Sequence, residues 1–146
     1  MTTEQMEISV NLKNEKVQFA ATSKRGQLIT VDHRPPVGDG DGYQPLELLL
    51  MSLASCSAST IVTQLRKMNK DVDSFEVKAQ GIKNGLRAAA FDRIFLHFNL
   101  RSRNVQDKDM LDVIRLSEES YCPVWAMLKN NVDVVPEYHI SPVFND

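Results

Sequence analysis

Residues 45–69, PLELLLMSLASCSASTIVTQLRKMN, constrain the fold of this 146-residue chain more than any other stretch. Pro45 suits the first turn of a helix, where its missing N–H costs nothing. Glu47 stands in that first turn, against the positive end of the helix dipole. Leu46, Leu49, Leu50 and Leu53 mark one face, and Met51, Ala58, Ile61, Val62 and Leu65 carry apolar character around most of the rest. A helix apolar on nearly all sides is a buried helix. Its middle, from Ser52 to Thr60, is built almost entirely of small residues, which let another backbone come close. In a chain of this size, such a helix implies a second subunit against one side.

The flanking segments read as strands and shorter helices. Alternation over Glu7–Lys13, then segments Lys16–Thr22 and Gly26–Asp32, predict a three-stranded meander with hairpin-length connections. His33–Gly42 is a loop of prolines, glycines and aspartates, the kind that serves as a lid, a binding loop or a mobile connection. Alternation returns over Ser74–Ile82, Asn84-Gly85 signals a hairpin, and Ala90–Arg101 forms the next strand. Asp107–Ser120 reads as a helix broken at Tyr121-Cys122. Pro123 starts a short helix ending near Asn130, and Val132–Ile140 closes the chain as a strand. Pro136 within that strand marks an edge. The order is βββ-α-ββ-αα-β, a single α+β domain over residues 1–146.

Composition removes several function classes. Charged residues make up 25% and the net charge is −2, with no basic run, which disfavours nucleic acid. The N-terminus, Met1-Thr2-Thr3-Glu4-Gln5, opens no apolar leader segment, and the apolar run around Leu48–Met51 is too short to span a bilayer. A cytoplasmic chain without a membrane segment is expected. His33, His97 and His139 are scattered and no metal-ligand spacing occurs, so neither a metal nor a cofactor is expected. Gly38-Asp39-Gly40-Asp41-Gly42 matches no nucleotide fingerprint and lacks the twelve-residue calcium pattern.

The chemistry that remains belongs to two cysteines. Pro123 at the first helical position makes Cys122 the N-cap residue, with its sulfur near unpaired backbone N–H groups that favour thiolate. A packed, inert cysteine beside Tyr121 and Trp125 is the competing reading. Cys56, mid-helix, reads locally as an inert core thiol unless a cation or donor reaches it from elsewhere. Arg25, in the tight Lys24-Arg25-Gly26 connection, is one candidate. Glu47, nine residues before Cys56, lies well away along the helix axis and would act through a group such as Arg25.

The segment PLELLLMSLASC ending at Cys56 resembles the central-helix motif of the OsmC/Ohr family. SYCPV around Cys122 resembles that family's second-cysteine motif, and the separation of 66 positions (122 − 56) is similar. The resemblance covers essentially the whole chain. It implies an OsmC-like fold with a long buried central helix and an intertwined homodimer. It implies a cysteine-based peroxidase: Cys56 attacks an organic hydroperoxide, Cys122 resolves the sulfenic acid to a disulfide, and a dithiol of the dihydrolipoamide type reduces it. Arg25 matches the arginine that supports the attacking thiolate, which a glutamate holds. In the characterised peroxidases that glutamate directly follows the helix-start proline. Here Leu46 takes that place and Glu47 follows, a rotation of about 100°. The chain resembles more the branch carrying Pro-x-Glu-Leu-Leu-Leu. Two other functions fit the same residues: a non-enzymatic module binding a small apolar ligand, and cysteine chemistry on another electrophile such as an acyl thioester.

Overall fold

A computed structural model describes residues 4–144. The first three positions of the polar N-terminus lie outside the described residues. Backbone contacts divide the chain into two units, Met1–Leu49 and Leu50–Asp146.

The first unit holds an antiparallel sheet of β1 (Ile8–Leu12), β2 (Phe19–Ser23) and β3 (Leu28–Val31), in that spatial order. Register places Val10 opposite Ala21 and Leu12 opposite Phe19, with Ala21 opposite Ile29 and Phe19 opposite Val31. Cross-strand partners share a face, so these residues form one apolar surface. The expectation that this face of β1 is buried is not met. Ile8, Val10 and Leu12 are 66%, 51% and 57% exposed. Alternation predicts which face is apolar and is silent on what covers it.

The loop after β3 is anchored. Asp32, fully buried, accepts the backbone N–H of His33 at 2.7 Å and those of Asp39 and Asp41 at 3.2 Å each. Burial pushes its carboxyl up, but these three N–H donors outweigh it and leave the group below the ordinary carboxylate value. Gly38 is required here, since an added Cβ would overlap the Asp32 carboxylate and the His33 backbone.

Helix α1 (Pro45–Lys67) begins in the first unit and continues through the second. By length and composition it is apolar enough to cross a membrane. Ser and Thr interrupt its apolar runs but weigh little in a helix-wide average. Within the chain only one stripe of α1 is buried, namely Leu53, Ser57, Ile61 and Leu65, spaced four apart. Met51 is 42% exposed, and burial of the remaining sides would need the second subunit that the sequence leads one to expect.

The second unit adds β4 (Ser74–Lys83), β5 (Phe91–Arg101), α2 (Asp107–Leu116), a π-helical segment (Ser117–Tyr121), α3 (Pro123–Leu128) and β6 (Asp133–Ser141). Strand β4 pairs antiparallel with β5, and β6 lies parallel to β5 at the sheet edge. The connection after β4 is wider than the Asn84-Gly85 signal predicts, spanning residues 84–90 and closed by Asn84 N–H to Ala90 O at 2.8 Å. Ile94, Leu96, Phe98 and Leu100 of β5, with Met110, Val113 and Ile114 of α2 and Trp125 of α3, are buried as its core.

Candidate functional site: a pair of adjacent thiols

Three local devices set Cys122 in place. The first is at the end of α2, where the chain does not continue as the α-helix to Ser120 that periodicity predicts. It widens into one π turn, closed by Cys122 N–H to Ser117 O at 2.9 Å, an i→i−5 bond. Next, Cys122 leaves the helix in extended geometry and caps α3, as Pro123 at the first helical position predicts. Finally, the Cys122 sulfur accepts the Trp125 N–H at 3.4 Å. The result is a cysteine only 2% exposed.

Cys56 meets this sulfur from α1. The Cys56 thiol lies near enough to Cys122 and to the Val124 N–H for both to perturb it. The first turn of α3 thus faces both cysteines: the Trp125 N–H donates to the Cys122 sulfur at 3.4 Å, and the Val124 N–H acts on the Cys56 thiol. Pro123 has no N–H to give. These amides are helix-end groups that would otherwise need water. Both cysteines are free thiols; Cys56 is half-buried and Cys122 buried.

Burial pushes the Cys56 thiol above the ordinary cysteine value, the neighbouring Cys122 thiol adds to the rise, and the Val124 N–H opposes it. Within the second unit the groups acting on Cys56 are Cys122 and Val124, and neither is cationic. The helix start expected to favour thiolate serves both sulfurs, yet burial wins at Cys56.

The other two candidates lie in the first unit. Arg25 is exposed at the β2–β3 turn, where Gly26 takes φ +90° and its N–H reaches Ser23 O at 3.0 Å. It lines an open groove of about 600 Å³ with Met6, Ile8 and Lys24. Glu47 accepts the Gln44 N–H at 3.0 Å, which makes it the returning half of a capping box at the start of α1. Neither Arg25 nor Glu47 forms an ion pair among the described residues.

Sequence reasoning missed Ser57. It is fully buried, and its hydroxyl lies 3.7 Å from the Cys122 sulfur. The one available signal was a polar residue on the Leu53–Ile61–Leu65 stripe. Trp125 Nε1 and Ser117 Oγ are buried without hydrogen-bond partners among the described residues.

Comparison with known proteins agrees with this architecture. The model of the family described as OsmC-like protein matches residues 38–137. The chain is 32% identical over 127 residues to Protein YhfA of Escherichia coli (strain K12), covering 86% of this chain and 92% of that protein. Among solved structures it is similar to a hypothetical protein from Aquifex aeolicus VF5, at 25% identity and a TM-score of 0.85, covering 97% of this chain and 100% of that one. An organic hydroperoxide resistance protein from Elizabethkingia anophelis shares the fold at 15% identity and a TM-score of 0.75, over 96% of this chain and 99% of that one. The family match over residues 38–137 and a relative 32% identical over 86% of the chain show that the chain belongs to the OsmC-like protein family.

Proposed function

We propose that this protein is a cysteine-based peroxidase that reduces organic hydroperoxides without a cofactor. The observation that carries this reading is the nearness of the Cys56 and Cys122 thiols, close enough that Cys122 perturbs Cys56, with the Trp125 N–H holding the Cys122 sulfur. Cys56 is the more accessible sulfur and takes the peroxidatic role. Its thiolate attacks the terminal peroxide oxygen, the O–O bond breaks, the alcohol leaves, and Cys56 becomes a sulfenic acid. Cys122 then displaces the sulfenic oxygen as water and closes a disulfide, which a dithiol reductant of the dihydrolipoamide type reopens by exchange. A structural relative named for organic hydroperoxide resistance supports the choice of substrate class.

Within this reading Arg25 supplies the cation that Cys56 lacks within the second unit. Glu47 keeps its capping role at the start of α1 and takes the part of the glutamate that orients Arg25. The apolar face of β1–β3 and the uncovered sides of α1 support an intertwined homodimer, with the whole of 1–146 acting as one cytoplasmic domain. The decisive experiment mixes reduced protein with cumene hydroperoxide and follows thiols by intact mass. The expected product has lost two hydrogens, and neither Cys56→Ser nor Cys122→Ser forms it. Two untouched thiols under excess peroxide would refute the proposal and leave a ligand-binding module or a different electrophile.

A further inference from the structure

Ser57 behaves unlike its neighbours on α1. Ser55, Ser59 and Thr60 turn their hydroxyls back onto helix carbonyls, to Ser52 O at 3.3 Å, Ser55 O at 2.8 Å and Cys56 O at 3.1 Å. That local bond is the usual outlet for a helical hydroxyl. Ser57 is the fully buried member of the group, and its hydroxyl is directed across to the Cys122 sulfur instead. A buried hydroxyl is costly without a partner, and among the described residues this sulfur is the one it has.

The geometry points to Ser57 as a positioning residue for Cys122, holding the resolving sulfur against Cys56 and stabilising it as a thiolate. While Cys122 carries its proton, either group can donate in the Ser57–Cys122 contact. Once Cys122 ionises, only the hydroxyl can, so the bond strengthens in the form that reacts. Trp125 N–H completes a two-donor cradle for the negative sulfur. The role matters because the resolving step needs a nucleophile that is otherwise buried and poorly solvated. In that step the Cys122 thiolate attacks the Cys56 sulfur, the S–S bond forms and the S–O bond breaks. The departing hydroxide leaves as water with the proton that Cys122 released. The electrons balance within the pair: the sulfenic sulfur is reduced and the Cys122 sulfur oxidised. This assignment of the step rests on the peroxidase reading, but the thiolate cradle does not.

Two measurements on the full chain separate them. Cys56→Ser leaves Cys122 as the one thiol, and its thiolate absorbance is titrated with and without Ser57→Ala. Loss of the Ser57 hydroxyl raises the Cys122 titration midpoint by about one unit in the double variant. An unmoved midpoint overturns the inference whatever the protein does with peroxide. The second measurement compares wild type, Ser57→Ala and Ser57→Thr after a pulse of cumene hydroperoxide. Sulfenic acid is trapped with dimedone and the disulfide is read by mass. Disulfide closure relative to sulfenic acid formation falls about tenfold in Ser57→Ala and recovers in Ser57→Thr, which keeps the hydroxyl. An equal ratio in all three overturns the role in resolution. Wild type that forms neither product refutes the peroxidase reading, and the titration still decides on Ser57. A residue that merely packed would lower thermal stability and leave both the midpoint and the ratio in place.

Discussion

At the scale of single residues, the site turns on which form of each group the surroundings favour. Cys56 is held protonated by burial and by its neighbour Cys122. A folded value raised above the unfolded one favours the fold at pH below the unfolded value of about 8.5. That contribution fades as pH climbs from there through the folded value. Chemical denaturation between pH 8 and 11 is expected to show stability falling, with Cys56→Ser flattening the decline. The same shift limits the thiolate, so sulfenic acid formation rises about tenfold per pH unit below the titration midpoint. Arg25→Ala is expected to slow that step by about tenfold at pH 7, with Arg25→Lys intermediate. An unchanged rate would remove Arg25 from the mechanism. Asp32 has the opposite sign. Its lowered value contributes stability above the unfolded carboxylate value of about 3.9, and that contribution is lost as pH falls through the folded value. Asp32→Asn removes the charge that three N–H groups share. Limited proteolysis at neutral pH is expected to cut within residues 33–42 faster in this variant than in wild type, and the acid sensitivity of the loop is expected to shrink.

At the scale of elements, the site depends on how two helices end and begin. The Cys122 cap was legible because Pro123 fixes the first residue of α3, and its side-chain chemistry follows from that position. The π turn was not legible. Ser117-Glu118-Glu119-Ser120-Tyr121 has no composition that distinguishes five residues per closing bond from four. Ser57 escaped for a different reason: its partner lies 65 positions away, beyond any helical or strand period. Deleting the exposed Glu119 tests the widened turn. The shortened segment is expected to close as an ordinary α turn and rotate Cys122 by about 100° about the helix axis. Circular dichroism should retain the helical signal while peroxide-driven disulfide formation falls to background. Normal disulfide yield would show that the extra residue does not aim the sulfur. Helix α1 was read correctly in extent, Pro45 to near Asn69 against an observed end at Lys67, because capping and periodicity are local. Its partial exposure depends on a partner, which periodicity does not encode.

At the scale of the whole molecule, two apolar surfaces stay exposed among the described residues. One is the face of β1–β3 carrying Val10 and Leu12, and the other is the side of α1 carrying Met51. Exposed apolar area on this scale marks association. Light scattering on the reduced protein is expected to give twice the 16.5 kDa chain mass. Val10→Lys, placing a charge on the sheet face, is expected to shift the protein toward monomer and to lower its melting temperature. A wild-type monomer with wild-type peroxide activity would contradict the dimeric site.

The thiols that meet here are 66 positions apart along the chain. A covalent bond between them would thread the middle of one helix to the threshold of another and leave β4, β5 and α2 inside a closed ring. Tethering the unfolded chain over such a ring is worth about 4 kcal/mol in the chain-entropy picture. Oxidised protein should therefore melt later than reduced protein, and after boiling in detergent without reductant it should migrate ahead of it on a gel. If the proposed disulfide forms in each turnover, the chain would tighten and release this constraint in step with its exposure to oxidant.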